Sequence, residues 1–286
     1  MMVRFLSMTL AALILPFCAL AENLSQTINR LEHELGARVG VAIHDSETGD
    51  MWTHRPDERF LMNSTIKVLV CAAVLARDDL DLMETLRVRA TDVVGHAPIT
   101  RKGIGATMTI ADLCLAAVDQ SDNGATNVLF DWLGGPGHLT SYLRSIGDEV
   151  TRSDRTEPAL NQFIAGDPRD TTTPVAMVRT LQKILVGEVL GSENQKLLVD
   201  WMRPGSWTGA LIRPYVPEGW DVADKSGSGR NTRNLIAMLT PPRGGPIFVS
   251  LSISDTTVDF ATRNAALSEL GAAVIEMLIK SYCSQL

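Results

Sequence analysis

Three short polar motifs stand far apart along this chain: Ser64-Thr65-Ile66-Lys67, Ser121-Asp122-Asn123 and Lys225-Ser226-Gly227. Only a fold that closes the chain on itself can bring them to one place, and each supplies a different part of a serine acyl-transfer site. Ser64 precedes an apolar helical run, Ile66, Val68, Leu69 and Val70. Its hydroxyl therefore lies near a helix N-terminus, where unpaired N–H groups and the helix dipole favour negative charge. Lys67 is three residues on, hence on the same helical face and within reach of the serine it would activate. Ser121 offers a second hydroxyl, to pass a proton to a leaving nitrogen. Asn123 offers an amide for a substrate carbonyl or the Lys67 amine, while Asp122 suits turn and N-cap chemistry. Lys225, Ser226, Gly227 and Ser228 end an alternating strand. The lysine and Ser226 suit a substrate carboxylate, and the glycines let a ligand approach the backbone closely.

The N-terminus reads as a charged start, Met1 to Arg4, an apolar run from Phe5 to Leu20, and Ala19-Leu20-Ala21 before Glu22. Residues 1–21 are thus expected to be a cleaved secretory leader; the run is shorter than the roughly 20 residues a membrane span needs. Phe17 before Cys18 is too bulky for lipoprotein cleavage. The formal charge is −7, and losing the leader removes Arg4 and no acid, giving −8. An acidic chain without a clustered basic stretch is a poor nucleic-acid binder. Cys71, Cys114 and Cys283 then remain. An oxidising compartment makes one disulfide plausible, and two buried thiols are the alternative. Cys71 follows Ser64 by seven residues and Cys114 precedes Ser121 by seven, two helical turns in each case. Cys283 has no obvious partner.

Apolar periodicity predicts a helix over 23–36, then a hairpin from Val39, Val41 and Ile43 through a turn at Glu47 to Asp50 and back at Met51 to Thr53. Residues 65–77, 109–119, 123–133, 137–146, 174–186 and 193–202 read as short helices. Strand signals return at 222–225, 235–239 and 247–253, and an amphipathic helix closes the chain over 259–280. The expected fold is α/β (α+β): an antiparallel sheet flanked by helices and built from both termini, residues 22–61 and 204–286. An all-helical subdomain, 62–203, interrupts it. The hairpins favour antiparallel pairing, and the site is expected where the two parts meet.

The three motifs in this order, with Glu157-Pro158-Ala159-Leu160-Asn161 between the second and third, resemble those of the class A serine β-lactamases, of the penicillinase or carbenicillinase kind. The resemblance covers essentially the whole chain after the leader. It implies that Ser64 attacks the lactam carbonyl, that Lys67 or Glu157 is the acylation base, and that Glu157, with Asn161 holding the water, deacylates the enzyme. It further implies an oxyanion hole from the Ser64 and Ser228 N–H groups and proton delivery by Ser121. Asn123, Lys225, Ser226 and Gly227 are implied in substrate binding. Arg155 and Asp170 match the ion pair that closes the family's Ω-shaped loop, and Cys71 pairs with Cys114 as in some members. Implied too are a monomer acting on small β-lactams, export to the periplasm or beyond, no stable membrane association, and no metal or organic cofactor. Penicillins are expected to be preferred.

One departure concerns the substrate carboxylate. Many members carry an arginine nine residues after the motif lysine, where this chain has Asn234. Arg233 stands one earlier, a step that reverses the face of a strand, so Arg233 is expected to point away and Arg230, Arg233 and Arg263 remain candidates. His96 stands where many members have an aromatic gatekeeper, either stacking on substrate or lying at the surface. Rival chemistries are poorly supported. The five histidines show no H-x-H-x-D or H-E-x-x-H spacing, and there is no G-x-S-x-G elbow. A D,D-peptidase shares the three motifs but ordinarily lacks the E-x-x-L-N loop. A sensor domain that stays acylated would bring transmembrane segments absent here, and Glu157 argues against it.

Overall fold

A computed structural model describes residues 15–285, with side chains over 23–282. Of the expected leader, residues 1–14 lie outside the described residues, and the Cys283 side chain does as well. Helix α1 (Leu15–Leu35) is followed by strands β1 (Arg38–Asp45), β2 (Met51–His54) and β3 (Phe60–Leu61), then helix α2 (Ile66–Leu75). Strands β4 (Thr85–Arg87) and β5 (Thr107–Thr109) precede helices α3 (Ile110–Val118), α4 (Asn123–Leu133) and α5 (Pro136–Ser145). After β6 (Thr171–Thr172) come α6 (Pro174–Leu185) and α7 (Ser192–Met202). The chain finishes with β7 (Asp221–Ser228), β8 (Arg233–Thr240), β9 (Ile247–Ser254) and α8 (Phe260–Gln285).

The main sheet has the order β2-β1-β9-β8-β7, antiparallel throughout, so strands from both ends of the chain share it. Period-two alternation decides its faces. Val39, Val41, Ile43, Leu235, Ala237, Val249, Leu251 and Ile253 join Leu24, Ile28 and Leu31 of α1 and Leu267, Leu270 and Val274 of α8 in one apolar cluster. On the other face α6 lies over β1 and β9. Gly40 is required there, since a Cβ would meet the Phe60 ring at 2.4 Å and Pro174 at 2.9 Å. The second cluster is built around α2, all ten of whose residues are buried. A helix apolar all round belongs at the centre of a bundle, and α2 carries the first motif at its N-terminus.

The predicted helices and main strands form within about five residues of their expected ends, except that α1 starts at Leu15, eight residues before the predicted 23. The stretch 62–203 is not all-helical, however: β4, β5 and β6 lie in it as two short antiparallel pairs, β4 with β5 and β6 with β3. Segments of two or three residues are too short for alternation to register. Among the described residues, no helix is long and apolar enough to cross a membrane.

Candidate active site

The turn before α2 holds the serine. Asn63 is buried at φ +50°, a left-handed conformation that asparagine tolerates better than most residues. Its side chain ties three segments together: Oδ1 accepts from Thr232 Oγ1 (2.7 Å) and Asn234 Nδ2 (3.0 Å), and Nδ2 donates to Asn161 Oδ1 (3.1 Å). Gly227 of β7 passes so close that a Cβ would sit 2.7 Å from Met62 O and 3.1 Å from the Ser64 N. These are backbone atoms that cannot swing aside. Gly227→Ala is therefore expected to cost about 1–3 kcal/mol of stability, the usual penalty for overpacking, and to displace Ser64. A melting curve and a single-turnover acylation rate check both; unchanged acylation would show that the close approach is dispensable.

Lys67 is completely buried, and its ammonium makes two hydrogen bonds and one ion contact. Nζ donates to Ser121 O and Asn123 Oδ1, each at 2.7 Å, and lies 3.1 Å from Glu157 Oε1. Burial pushes the ammonium below its ordinary value, opposed by the charge of Glu157. Ser121 itself is held at φ +56°. That conformation costs a serine about 1–3 kcal/mol, and its neighbours over-determine it. Asp122 N donates to Ala116 O (3.0 Å). The buried Asp122 carboxylate accepts from the N–H groups of Ile99 (2.8 Å), Thr100 (2.9 Å) and Ala125 (2.9 Å) and from Thr100 Oγ1 (2.6 Å), capping α4. Lys225 Nζ donates to Ser121 Oγ and to Ser226 O, both at 3.0 Å. Burial, then the positive charges of Lys67 and Arg233, push Lys225 well below the lysine range.

Glu157 approaches from a loop. Its side chain is fully buried, and Oε2 accepts from Asn161 Nδ2 at 2.5 Å. No donor is aligned on Oε1, which keeps only the ion contact with Lys67. Sequence reading passed over Asn127, which clamps the Glu157 backbone: Oδ1 accepts from Glu157 N (2.9 Å) and Nδ2 donates to Glu157 O (3.1 Å). Asn127 is simply the fifth residue of α4, so nothing local marks it. The loop is closed by Arg155 Nε on Asp170 Oδ2 at 2.5 Å, with Asp170 Oδ1 also accepting from Asp154 N and Arg155 N.

Arg233 overturns the expectation that it points away. The β7–β8 hairpin pairs Ser228 with Arg233 and Gly227 with Asn234, and cross-strand partners share a face. Arg233 thus faces the cleft beside Ser226 and Ser228. Asn234, on the opposite face, donates to Leu61 O (2.7 Å) and Met62 O (3.2 Å) behind the serine. Counting from the lysine missed this because the short turn, Gly229 to Thr232, resets the register. Burial and neighbouring Arg263 lower Arg233 to about 10. Arg263 is spent on the carbonyls of Val258 and Gly229, and Arg230 is exposed.

These groups open on one cavity of about 420 Å³, whose lining includes Ser64, Ser121, Asn123, Asn161, Ser226, Ser228 and Arg233. His96 is also in its wall, its Nε2 3.0 Å from Gln120 O and its ring edge-on to Trp207, centroids 5.0 Å apart. The expected Cys71–Cys114 disulfide is not formed. Both thiols are buried and free, and Cys71 Sγ donates to Cys114 O at 3.8 Å. Burial pushes the Cys71 thiol well above its ordinary range, which disfavours the thiolate that disulfide exchange requires. Among the described residues no group of three or more His, Cys, Asp or Glu side chains is placed to hold a metal.

Comparison with known proteins agrees with this geometry. The model of the β-lactamase enzyme family matches residues 23–278. A β-lactamase of Rhodobacter capsulatus is 50% identical over 260 residues, 90% of this chain and 89% of that one. The crystal structure of a β-lactamase from Xanthomonas campestris superposes with a TM-score of 0.87 at 40% identity, covering 91% of this chain and 98% of the other. The ancestral GNCA class A β-lactamase gives 0.85 at 45% identity, covering 88% and 99%.

Proposed function

The chain belongs to the class A serine β-lactamases, and on that premise we propose that it hydrolyses penicillins through a Ser64 acyl-enzyme freed by water that Glu157 activates. β-Lactam hydrolysis is the family's activity and the basis of antibiotic resistance. The finer reading rests above all on one observation: a fully buried Glu157 with Oε1 3.1 Å from Lys67 Nζ and Oε2 2.5 Å from Asn161 Nδ2. A carboxylate so placed can take a proton from water while Asn161 orients it. In acylation Ser64 Oγ attacks the lactam carbonyl, its proton passing to Lys67 or, through it, to Glu157. The N–H groups of Ser64 and Ser228 hold the developing oxyanion. Ser121, linked to Lys225 at 3.0 Å, protonates the departing nitrogen. Export through a cleaved leader belongs to the same reading.

Benzylpenicillin turnover by the purified protein, with intact-mass detection, tests the proposal. Rapid hydrolysis without a lasting adduct is expected; a stable adduct on the wild type would mean a peptidase or a sensor instead. A higher kcat/KM for an extended-spectrum cephalosporin than for benzylpenicillin would overturn the preference for penicillins. Arg233 is the cation that the reading assigns to the substrate carboxylate together with Lys225 and Ser226. Bonds to charged groups contribute about 1.5–3 kcal/mol, so Arg233→Gln is expected to lower kcat/KM about 10- to 100-fold, mainly through KM. Steady-state kinetics would show it, and an unchanged KM would return the role to Arg230 or Arg263.

A further inference from the structure

The carboxylate end of the cleft is walled by aromatic rings that the catalytic steps do not use. Trp207 is 52% exposed and Phe260 53% exposed, and both line the cavity with Arg233. The Arg233 guanidinium lies 5.3 Å from the Phe260 ring centroid, and its Nε and Nη2 donate to Asn264 Oδ1 at 3.1 and 2.9 Å. Trp207 reaches the cationic end from the other side, sharing a small hollow with Lys225 and contacting His96 edge-on. Its loop is strapped to the segment before Ser121: Ser206 N donates to Asp119 Oδ1 (3.2 Å) and Gln120 Nε2 donates to Ser206 Oγ (3.0 Å). A large apolar ring fixed beside the buried cations of the cleft is preorganised, so little ordering cost remains when a ligand covers it.

Resting on the hydrolase reading above, we infer that Trp207, with Phe260 behind Arg233, forms a subsite for an apolar or aromatic substituent on the ring atom next to the substrate carboxylate. The placement decides which part of the substrate is read. Trp207 stands with Lys225 and Arg233, the cations to which the hydrolase reading assigns the carboxylate, whereas Asn161 and Glu157 hold each other where it assigns the water. A substituent adjacent to that carboxylate is carried onto the exposed indole.

Two cephalosporins isolate this contact. Nitrocefin and cephalothin share ring, carboxylate and thienylacetamido side chain, but at C3, beside the carboxylate, one carries a dinitrostyryl group and the other an acetoxymethyl group. The readout is the ratio of their kcat/KM values, which is independent of the fraction of variant that folds. Ring–ring contacts are worth up to about tenfold in affinity. Trp207→Ala is therefore expected to lower the nitrocefin-to-cephalothin ratio about five- to tenfold, through the KM of nitrocefin, and Trp207→Phe to restore most of it. An unchanged ratio overturns the inference and leaves the hydrolase reading intact, as would hydrolysis of benzylpenicillin with neither cephalosporin turned over. Failure to hydrolyse any of the three would bring down the hydrolase reading, and the subsite with it.

Discussion

Glu157→Gln, mixed with benzylpenicillin, is expected to accumulate a penicilloyl adduct on Ser64 that the wild type forms only in passing. General-base catalysis contributes about 10²- to 10⁴-fold, so deacylation should slow by at least a hundredfold while acylation continues. The structure explains why one step suffers more than the other. Asn161 Nδ2 can still donate to the carboxamide oxygen as it does to Glu157 Oε2 at 2.5 Å, so the loop keeps its place. An amide nitrogen facing Lys67, however, cannot accept a proton from water and cannot neutralise the ammonium 3.1 Å away. Burial already depresses Lys67, and the charge opposing that depression is gone. The amine is thereby left readier to serve as a neutral base toward Ser64. Intact-mass spectra at one minute and one hour decide the matter; continued turnover without an adduct would mean that some group other than Glu157 activates the water.

The same contacts show what a sequence discloses and what it withholds. The chain ends α4 where Gly134 takes the left-handed conformation, φ +91°, and starts it with Asp122 as cap, so its bounds of 123–133 follow from residue chemistry alone. The Ser64–Lys67 spacing is legible for the same reason, since helical periodicity is local. Arg233 is not legible by counting, because its face depends on how many residues the β7–β8 turn contains and hence on the register of Ser228 against Arg233. Asn63 and Asn127 escape because their work is done on residues distant in sequence: Asn63 binds the side chains of Thr232, Asn234 and Asn161, and Asn127 binds the Glu157 backbone. Trp207 reads as one more apolar residue until the fold sets it at the cleft. The resemblance paired Cys71 with Cys114, but neither it nor their spacing can say whether two buried thiols are oxidised.

Lys67→Met separates the catalytic from the structural contribution of the lysine by its pH signature. Loss of the amine is expected to cost at least a thousandfold in acylation, since nucleophile and base act as a unit. The stability change is the sharper test. Removing one member of a buried pair costs about 3–5 kcal/mol because the other charge is left uncompensated, and here Glu157, with a fully buried side chain, would be the orphan. In the wild type the folded lysine titrates below its ordinary value of 10.5. Between that lowered value and 10.5 the unfolded chain binds more protons than the folded one, so this group makes stability rise with pH across that window. The variant lacks that gain. Its Glu157 carboxylate has lost the ammonium that compensated it, which lowers the variant's stability throughout. Melting temperatures of the two proteins should therefore diverge as pH rises through the window below 10.5, the wild type gaining and the variant not. Parallel curves would mean that the lysine's lowered value contributes nothing to stability, and coincident ones that Glu157 finds another partner when Lys67 is gone, so that the fold does not depend on the pair on which the chemistry is proposed to depend.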